Sequence, residues 1–368
     1  MRFLGKTAGR AAATKAACVA AVILAFSPLQ SPAEDLPLFS VSSGAPLLSL
    51  LPSTGAVVAQ GGNFSVQLPD GRSLWVLNNV WTGEIKEGGE PKAWGLVDGA
   101  AAFVPSTSAA AQAGNLSWIS DENGWPLPLL SAGMEESGQV RKFWPRSAVC
   151  GTAGCAVFYS IMNNFGPEPY DCFRVGQGVA VSADPAGPYV KSRESGRYSL
   201  WNDIEPAFGS AVLADEDGWV YVYGRVLSAP GEYSVQLARA RPGDLASRAA
   251  YSYYSLEADT SAWTSDLAEA SDIMKDMSDE FSVSYNDFLK AYLAVYSSAQ
   301  DGGAMARLAR YPWGPWGEPF RLFSCAAGDY CYGAKEQPGL AEEGGKRIYL
   351  TAEKRHSPYV YRVDLKQR

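Results

Sequence analysis

The sequence predicts an all-β protein, a five-bladed β-propeller formed as a single domain after a signal peptide. Three observations carry that prediction. Tyr, Trp and Phe make up 12% of the 368 residues. Strand-like runs are short and are cut by 37 Gly and 23 Pro, together with Asp and Asn, which is the profile of a fold made of short strands and tight turns. The runs also recur on one plan, and long-period repetition is the mark of a propeller or a solenoid.

At the N-terminus, Arg2, Lys6, Arg10 and Lys15 form a positive region, and Ala16 to Phe26 is an apolar run of eleven residues. That run is too short to span a bilayer. Ser31 and Ala33 supply small residues at signal-peptidase spacing, so residues 1–33 read as a signal peptide cleaved after Ala33. No later stretch is long and apolar enough for a membrane span. Residues 34–59 read as a lead-in segment and 60–368 as the propeller.

Five segments then share an aromatic-rich strand, a polar or Gly-rich gap and a second, alternating strand. They are SLWVLNN with AWGLVDGAAAFV, CAVFYSIMNN with VGQGVAVSADPAGPYV, GWVYVYGRV with EYSVQLARARPGDL, KAYLAVYSS with GAMARLARYPWGPWGEPF, and RIYLTAEKR with SPYVYRVDL. Their leading strands begin near Leu74, Ala156, Val220, Tyr292 and Ile348, at intervals of 82, 64, 72 and 56 residues, room for a four-stranded sheet with loops. SADPAGPYV and RYPWGPWGEP repeat a further detail, a Pro/Gly turn presenting an aromatic to the next strand. A two-sheet sandwich also has many short strands, but it does not predict a repeat. Residues 260–280 interrupt the pattern. They read as short helix or loop, and Asp272, Asp276, Asp279 and Glu280 read as a solvated charged face.

The formal charge is −8, and about −12 once the four basic residues of 1–33 are removed. An acidic surface repels phosphate backbones, so a nucleic-acid partner is excluded. With five cysteines after residue 33, disulfides are expected in an oxidising compartment, secreted or periplasmic. CGTAGC and CAAGDYC permit local bridges, while Cys150 or Cys155 pairing with Cys172 is an alternative. One histidine, His356, makes a zinc site a poor fit, and no metal or other cofactor is expected. A monomer is expected.

In a propeller the site residues come one or two from each blade. The first blade offers Asn63, Asn78, Asn79 and Trp81; the second Trp144 and Arg146; the third Trp201, Asp203 and Glu205; the fourth Glu280; the fifth Tyr332 and Glu336. Aromatic rings interleaved with amides and carboxylates suit a polyhydroxylated ligand, the rings against C–H faces and the polar groups on hydroxyls. Trp144 and Trp201 can equally be packing residues, Asp203 a turn cap, and Lys335 beside Glu336 a surface ion pair.

LPDGRSLWVLNN, DEDGWVYVYGRV, YSVQLARARPGDL, EFSVSYNDFLKAYLAVYSS, YPWGPWGEPFRLFSC and KEQPGLAEEGGKRIYLT resemble successive blocks of a secreted five-bladed propeller family, long of unknown function, that includes bacterial endo-D-arabinanases. The resemblance runs from about Gln60 to Leu365. It implies a glycan-facing pocket and glycosidic bond cleavage, which uses two carboxyl groups. It also implies acidic residues where this chain has Asn63 and Asn79, and an amide is no general base. Two expectations follow. One is a glycoside hydrolase with its carboxylates drawn from Glu205, Glu336, Glu280 and Asp203, and with Asn63, Asn78, Asn79, Trp81, Trp144, Arg146, Trp201 and Tyr332 binding the polysaccharide. The other is a propeller that binds a glycan without cleaving it. A protein-interaction propeller is a third reading.

Overall fold

A computed structural model describes residues 36–37, 39–43, 46–49, 56–105, 116–138, 140–257, 262–298, 300, 302–325, 331–354 and 357–367. The expected signal segment 1–33, and His356, lie outside them.

Five antiparallel sheets follow one another along the chain, numbered here as blades from the N-terminus. Blade 1 is Val57–Gln67, Ser73–Ile85, Pro91–Val104 and Ser117–Trp118. Blade 2 is Arg141–Gly151, Gly154–Asn164, Cys172–Ser182 and Val190–Lys191, with Trp201–Asn202 also on the third strand. Blade 3 is Ala207–Ala214, Val220–Ala229, Glu232–Ala240, Ser252–Tyr254 and Trp263–Thr264, with Asp272–Lys275 also on its third strand. Blade 4 is Phe281–Asn286, Ala291–Ser298, Gly303–Ala309 and Phe320–Ser324. Blade 5 is Tyr332–Glu336, Arg347–Lys354 and Ser357–Gln367, closed on its outer side by Phe39–Ser43. The innermost strands pack in sequence around a ring, the last against the first. The protein is a five-bladed β-propeller.

The repeat seen in the sequence is the second strand of each blade. That strand is the most continuously apolar because both faces of a blade pack on neighbours: Cys155 to Met162 are buried without a break. Five apolar cores result, each between consecutive blades. Phe158 and Phe208 meet between blades 2 and 3, Tyr223 and Phe281 between 3 and 4, and Tyr349 and Trp75 between 5 and 1. Truncating such a ring to Ala costs about 3–5 kcal/mol.

Part of the segment read as a lead-in is structural. Phe39–Ser43 pairs antiparallel with the C-terminal strand, and Phe39 stacks edge-on against Phe320 of blade 4 at 4.9 Å. Pairing the two ends of the chain in one sheet closes the ring and covers an edge that would otherwise expose unpaired backbone. The cysteines form the local bridges, Cys150–Cys155 across the first hairpin of blade 2 and Cys325–Cys331 between blades 4 and 5, leaving Cys172 unbridged. No helix among the described residues is long and apolar enough to cross a membrane.

Candidate active site

At the end of the ring where the innermost strands begin, side chains from blades 1, 2, 4 and 5 enclose a hollow of about 350 Å³. Its floor is a buried charged cluster. Glu280, just before blade 4, and Glu353, on the second strand of blade 5, are each 4% exposed. Beside them lies Lys335, whose Nζ is 2.6 Å from Glu280 Oε2 and 4.4 Å from the Phe64 ring centroid.

Blade 1 shapes this floor through its irregular strand. Gln60-Gly61-Gly62-Asn63 carries successive register shifts against Ser73–Ile85. Asn63 (φ 52°) and Asn79 (φ 47°) adopt the left-handed conformation that asparagine tolerates better than most residues. Gly62 (φ +80°) leaves room where a Cβ would lie 2.9 Å from Asn78 Nδ2. The Asn78 side chain therefore folds across the glycines and donates to Glu280 Oε1 at 3.2 Å. Asn79 Nδ2 donates to Asn78 Oδ1 at 3.3 Å, and Asn63 Nδ2 donates to Glu353 Oε1 at 3.0 Å. The asparagines hold carboxyl groups in place. Asn63 is itself buried.

Blade 5 is bulged between Tyr332 and Lys335. Gly333 (φ +62°) sits where a Cβ would be 3.1 Å from Lys335 Nζ, 3.3 Å from Glu280 Oε2 and 3.7 Å from Glu353 Oε1. The two carboxyl oxygens are thus no more than about 7 Å apart and face one hollow together. Burial, and then the charge of Glu280, push Glu353 up to about 8, against the opposing pull of Lys335 and Asn63. Glu353 therefore holds its proton more tightly than an ordinary carboxyl. The Tyr332 hydroxyl is pushed well above its ordinary value by the charge of Glu280 and by burial, so it remains a hydrogen-bond donor.

The walls complete the hollow. Trp144 and Arg146, two residues apart on the innermost strand of blade 2, both line it. Arg146 donates to Ser160 Oγ (2.9 Å), to the Asp279 carbonyl (3.2 Å) and to Asp279 Oδ2 (2.6 Å). Burial alone would raise Asp279, but Arg146, aided by Arg225 and Arg174, holds it below the usual carboxylate range. Tyr170 forms part of the rim, and Trp81 hydrogen-bonds to its hydroxyl.

The ring thus brings Asn78, Asn79, Trp144, Arg146, Glu280 and Tyr332 to one hollow, with Asn63 beneath it and Trp81 behind Tyr170. Four other expected site residues lie elsewhere. Glu205 caps a turn, accepting from Asn202 N (2.8 Å) and from Arg248 Nη1 (2.9 Å) and Nη2 (2.6 Å), and it borders a separate surface cavity. Asp203 is on the same exposed turn, its carbonyl accepting from Arg174. Trp201 is fully buried, with its ring 5.0 Å from Phe208 and 4.9 Å from Tyr251. Glu336 lies in a second, axial cavity of about 60 Å³, lined by the innermost strands of all five blades. Burial pushes it up to about 7, opposed by the Ser284 hydroxyl that donates to it.

Residues 262–280 of the charged segment are only partly solvated. Asp279 and Glu280 turn into the hollow, because Asp272–Lys275 pairs with blade 3 and directs the chain back to the axis. The sequence reading passed over Glu353 and Tyr170, took Asp279 for part of a solvated face, and paired Lys335 with Glu336 at the surface where the structure buries it against Glu280. Glu353 did carry a signal, the one acidic residue of RIYLTAEKR, at the end of its strand-forming run. Among the described residues no group of three or more His, Cys, Asp or Glu side chains is placed to hold a metal ion.

Fold and hollow together define a propeller with paired carboxyl groups at the mouth of its axis. The family model described as a domain of unknown function, DUF4185, matches residues 162–366, and the chain belongs to that family. No curated protein matches it. Among solved structures, a Bacteroides ovatus protein provisionally described as a hydrolase is 19% identical, over 85% of this chain and 87% of that one, with a TM-score of 0.62. A GH43_1 enzyme from Xanthomonas citri is 14% identical, over 89% and 90%, with a TM-score of 0.48. Zg3597, a family 117 glycoside hydrolase from Zobellia galactanivorans, is 10% identical, over 90% and 92%, with a TM-score of 0.48. At these identities the likeness is one of fold.

Proposed function

We propose that this protein is a glycoside hydrolase acting on an extracellular or cell-wall polysaccharide, with Glu353 as general acid and Glu280 as the carboxylate that serves as base or nucleophile. The observation that carries the proposal is the unequal pair at the floor of the hollow. Glu353 is held as a carboxylic acid, pushed up to about 8, while Glu280 forms an ion pair with Lys335. A carboxyl group that holds its proton, beside a second one paired with a cation, is an arrangement suited to acid–base cleavage of a glycosidic bond. Glu353 would protonate the leaving oxygen, and Glu280 would activate water or attack the anomeric carbon.

Trp144, Tyr170 and Tyr332 supply aromatic surface for sugar C–H faces, and the Tyr332 hydroxyl supplies a donor. The concave form of the hollow favours a glycan over a flat protein partner. The resemblance to arabinanases makes a furanosidic polysaccharide the first substrate to try. Export is part of the proposal: two disulfides suit an oxidising compartment, and residues 1–33 have the pattern of a cleaved signal.

A second reading, glycan binding without cleavage, is favoured by one observation. Glu280 is held by Lys335 and Asn78, and Asp279 by Arg146, pairings that reduce nucleophilicity. The deciding experiment measures binding and reducing-end release together on arabinan, galactan and other polysaccharides, using wild type and Glu353→Gln. Release by the wild type that Glu353→Gln abolishes supports hydrolysis. Binding without release supports the second reading, and neither binding nor release refutes both.

A further inference from the structure

Three guanidinium groups converge on Asp279 at the edge of the hollow. Arg146 holds its Oδ2 at 2.6 Å, Arg225 Nη1 stands 4.0 Å from its Oδ1, and the charge of Arg174 also acts on it. Glu280, the next residue, is taken by Lys335. Asp203, on an exposed turn, is a further acidic group acting on Arg174. Glu205 also acts on Arg174 but is paired with Arg248, so Arg146, Arg174, Arg225 and Arg248 outnumber Asp203, Glu205 and Asp279 by one beside the hollow, in a chain whose net charge is −8.

The three arginines are not equivalent. Arg146 directs its N–H groups to Ser160 and Asp279, and Arg174 directs its terminal nitrogens to the carbonyls of Asn202, Asp203 and Glu205. Arg225 donates through Nε to the Met277 carbonyl at 3.1 Å, and its guanidinium lies 3.4 Å above the Tyr233 ring centroid. Its terminal nitrogens have no hydrogen-bond acceptor among the described residues, since 4.0 Å to Asp279 is too long. The side chain is 23% exposed. A stacked and oriented guanidinium with its fork free is a preformed receptor for a pair of anionic oxygens.

We infer that Arg225 forms a subsite for an anionic substituent of the glycan, in the first instance the carboxylate of a uronic acid. The inference rests on the glycan reading and narrows it to acidic polysaccharides. Asp279 does not oppose it, because Arg146 already neutralises that charge. The anionic sugar would sit at the edge of the hollow next to Glu280, so the subsite would favour chains carrying an acidic unit beside the bond at Glu353.

The test is calorimetric titration of wild type, Arg225→Gln and Arg225→Lys with three probes: oligogalacturonate, a sulfated galactan oligomer and a neutral galactan oligomer of matched length. A charge-assisted hydrogen bond at a partly exposed site predicts that wild type binds an acidic oligomer about tenfold or more tighter than the neutral one. Arg225→Gln should lose that advantage while binding the neutral oligomer within about twofold, and Arg225→Lys, which keeps charge but not the fork, should fall between. Preference for the sulfated probe over the uronate would support the anion subsite and identify its source as sulfate. Equal wild-type affinity for acidic and neutral oligomers, or equal weakening of both by Arg225→Gln, would overturn the inference and leave the glycan reading standing. Failure to bind any of the three, together with no binding in the polysaccharide panel, would overturn both.

Discussion

Glu336→Gln tests whether the axial cavity is a desolvated site separate from the hollow. Burial raises this carboxyl from an ordinary 4.5 to about 7, and the Ser284 hydroxyl only partly offsets the effect. Below pH 4.5 the group is protonated in both folded and unfolded chains and costs nothing. Between 4.5 and about 7 the unfolded chain loses its proton and the folded chain keeps it, so stability falls as pH rises. Above about 7 the folded chain carries the buried charge, and the loss reaches its limit. That interval corresponds to about 3 kcal/mol. Glutamine keeps an oxygen for Ser284 and cannot ionise. Urea unfolding at pH 5 and pH 8 should therefore show the stability of wild type, measured relative to Glu336→Gln, dropping by about 2–3 kcal/mol over that range, because a small part of the loss is already present at pH 5. Glu353 titrates in both proteins and cancels in the difference. Parallel stability curves for the two proteins would refute the argument. Because the residue is outside the hollow, hydrolysis by Glu336→Gln should persist.

Three further outcomes are expected. Glu353→Gln should lower the hydrolytic rate by about a hundredfold to ten-thousandfold, with affinity little changed. In the wild type, activity should fall as pH rises through about 8, where the acid loses its proton, and this is read from initial rates across pH. Trp144→Ala should weaken oligosaccharide affinity about tenfold through lost ring contact, measured by calorimetry. Glu205→Gln should leave hydrolysis intact and cost no more than about 1 kcal/mol in a thermal melt, because its ion pair with Arg248 is partly exposed.

The propeller was legible because its signals are local. A blade announces itself through strand-forming side chains and turn residues within some 60 residues, and repetition multiplies that signal. Half of the hollow was legible for the same reason, since amides and aromatics at strand ends are local oddities. Trp201 shows where such reasoning misleads: a tryptophan near charged residues can be core, and nothing in LWNDIEP tells which way the ring turns. Lys335 shows the converse. Its neighbour in sequence is Glu336, but its partner is Glu280, because a bulge at Gly333 turns the side chain to the axis.

Residue chemistry and strand order were thus written in the chain, while the carboxyl pair was not. Asn78 reaches Glu280 across 202 residues, and Asn63 reaches Glu353 across 290. Such contacts exist only once the ring closes and five strand ends share one axis. The raised proton affinity of Glu353 has the same origin, because desolvation and a neighbouring charge are properties of an enclosed place. Local sequence carries neither.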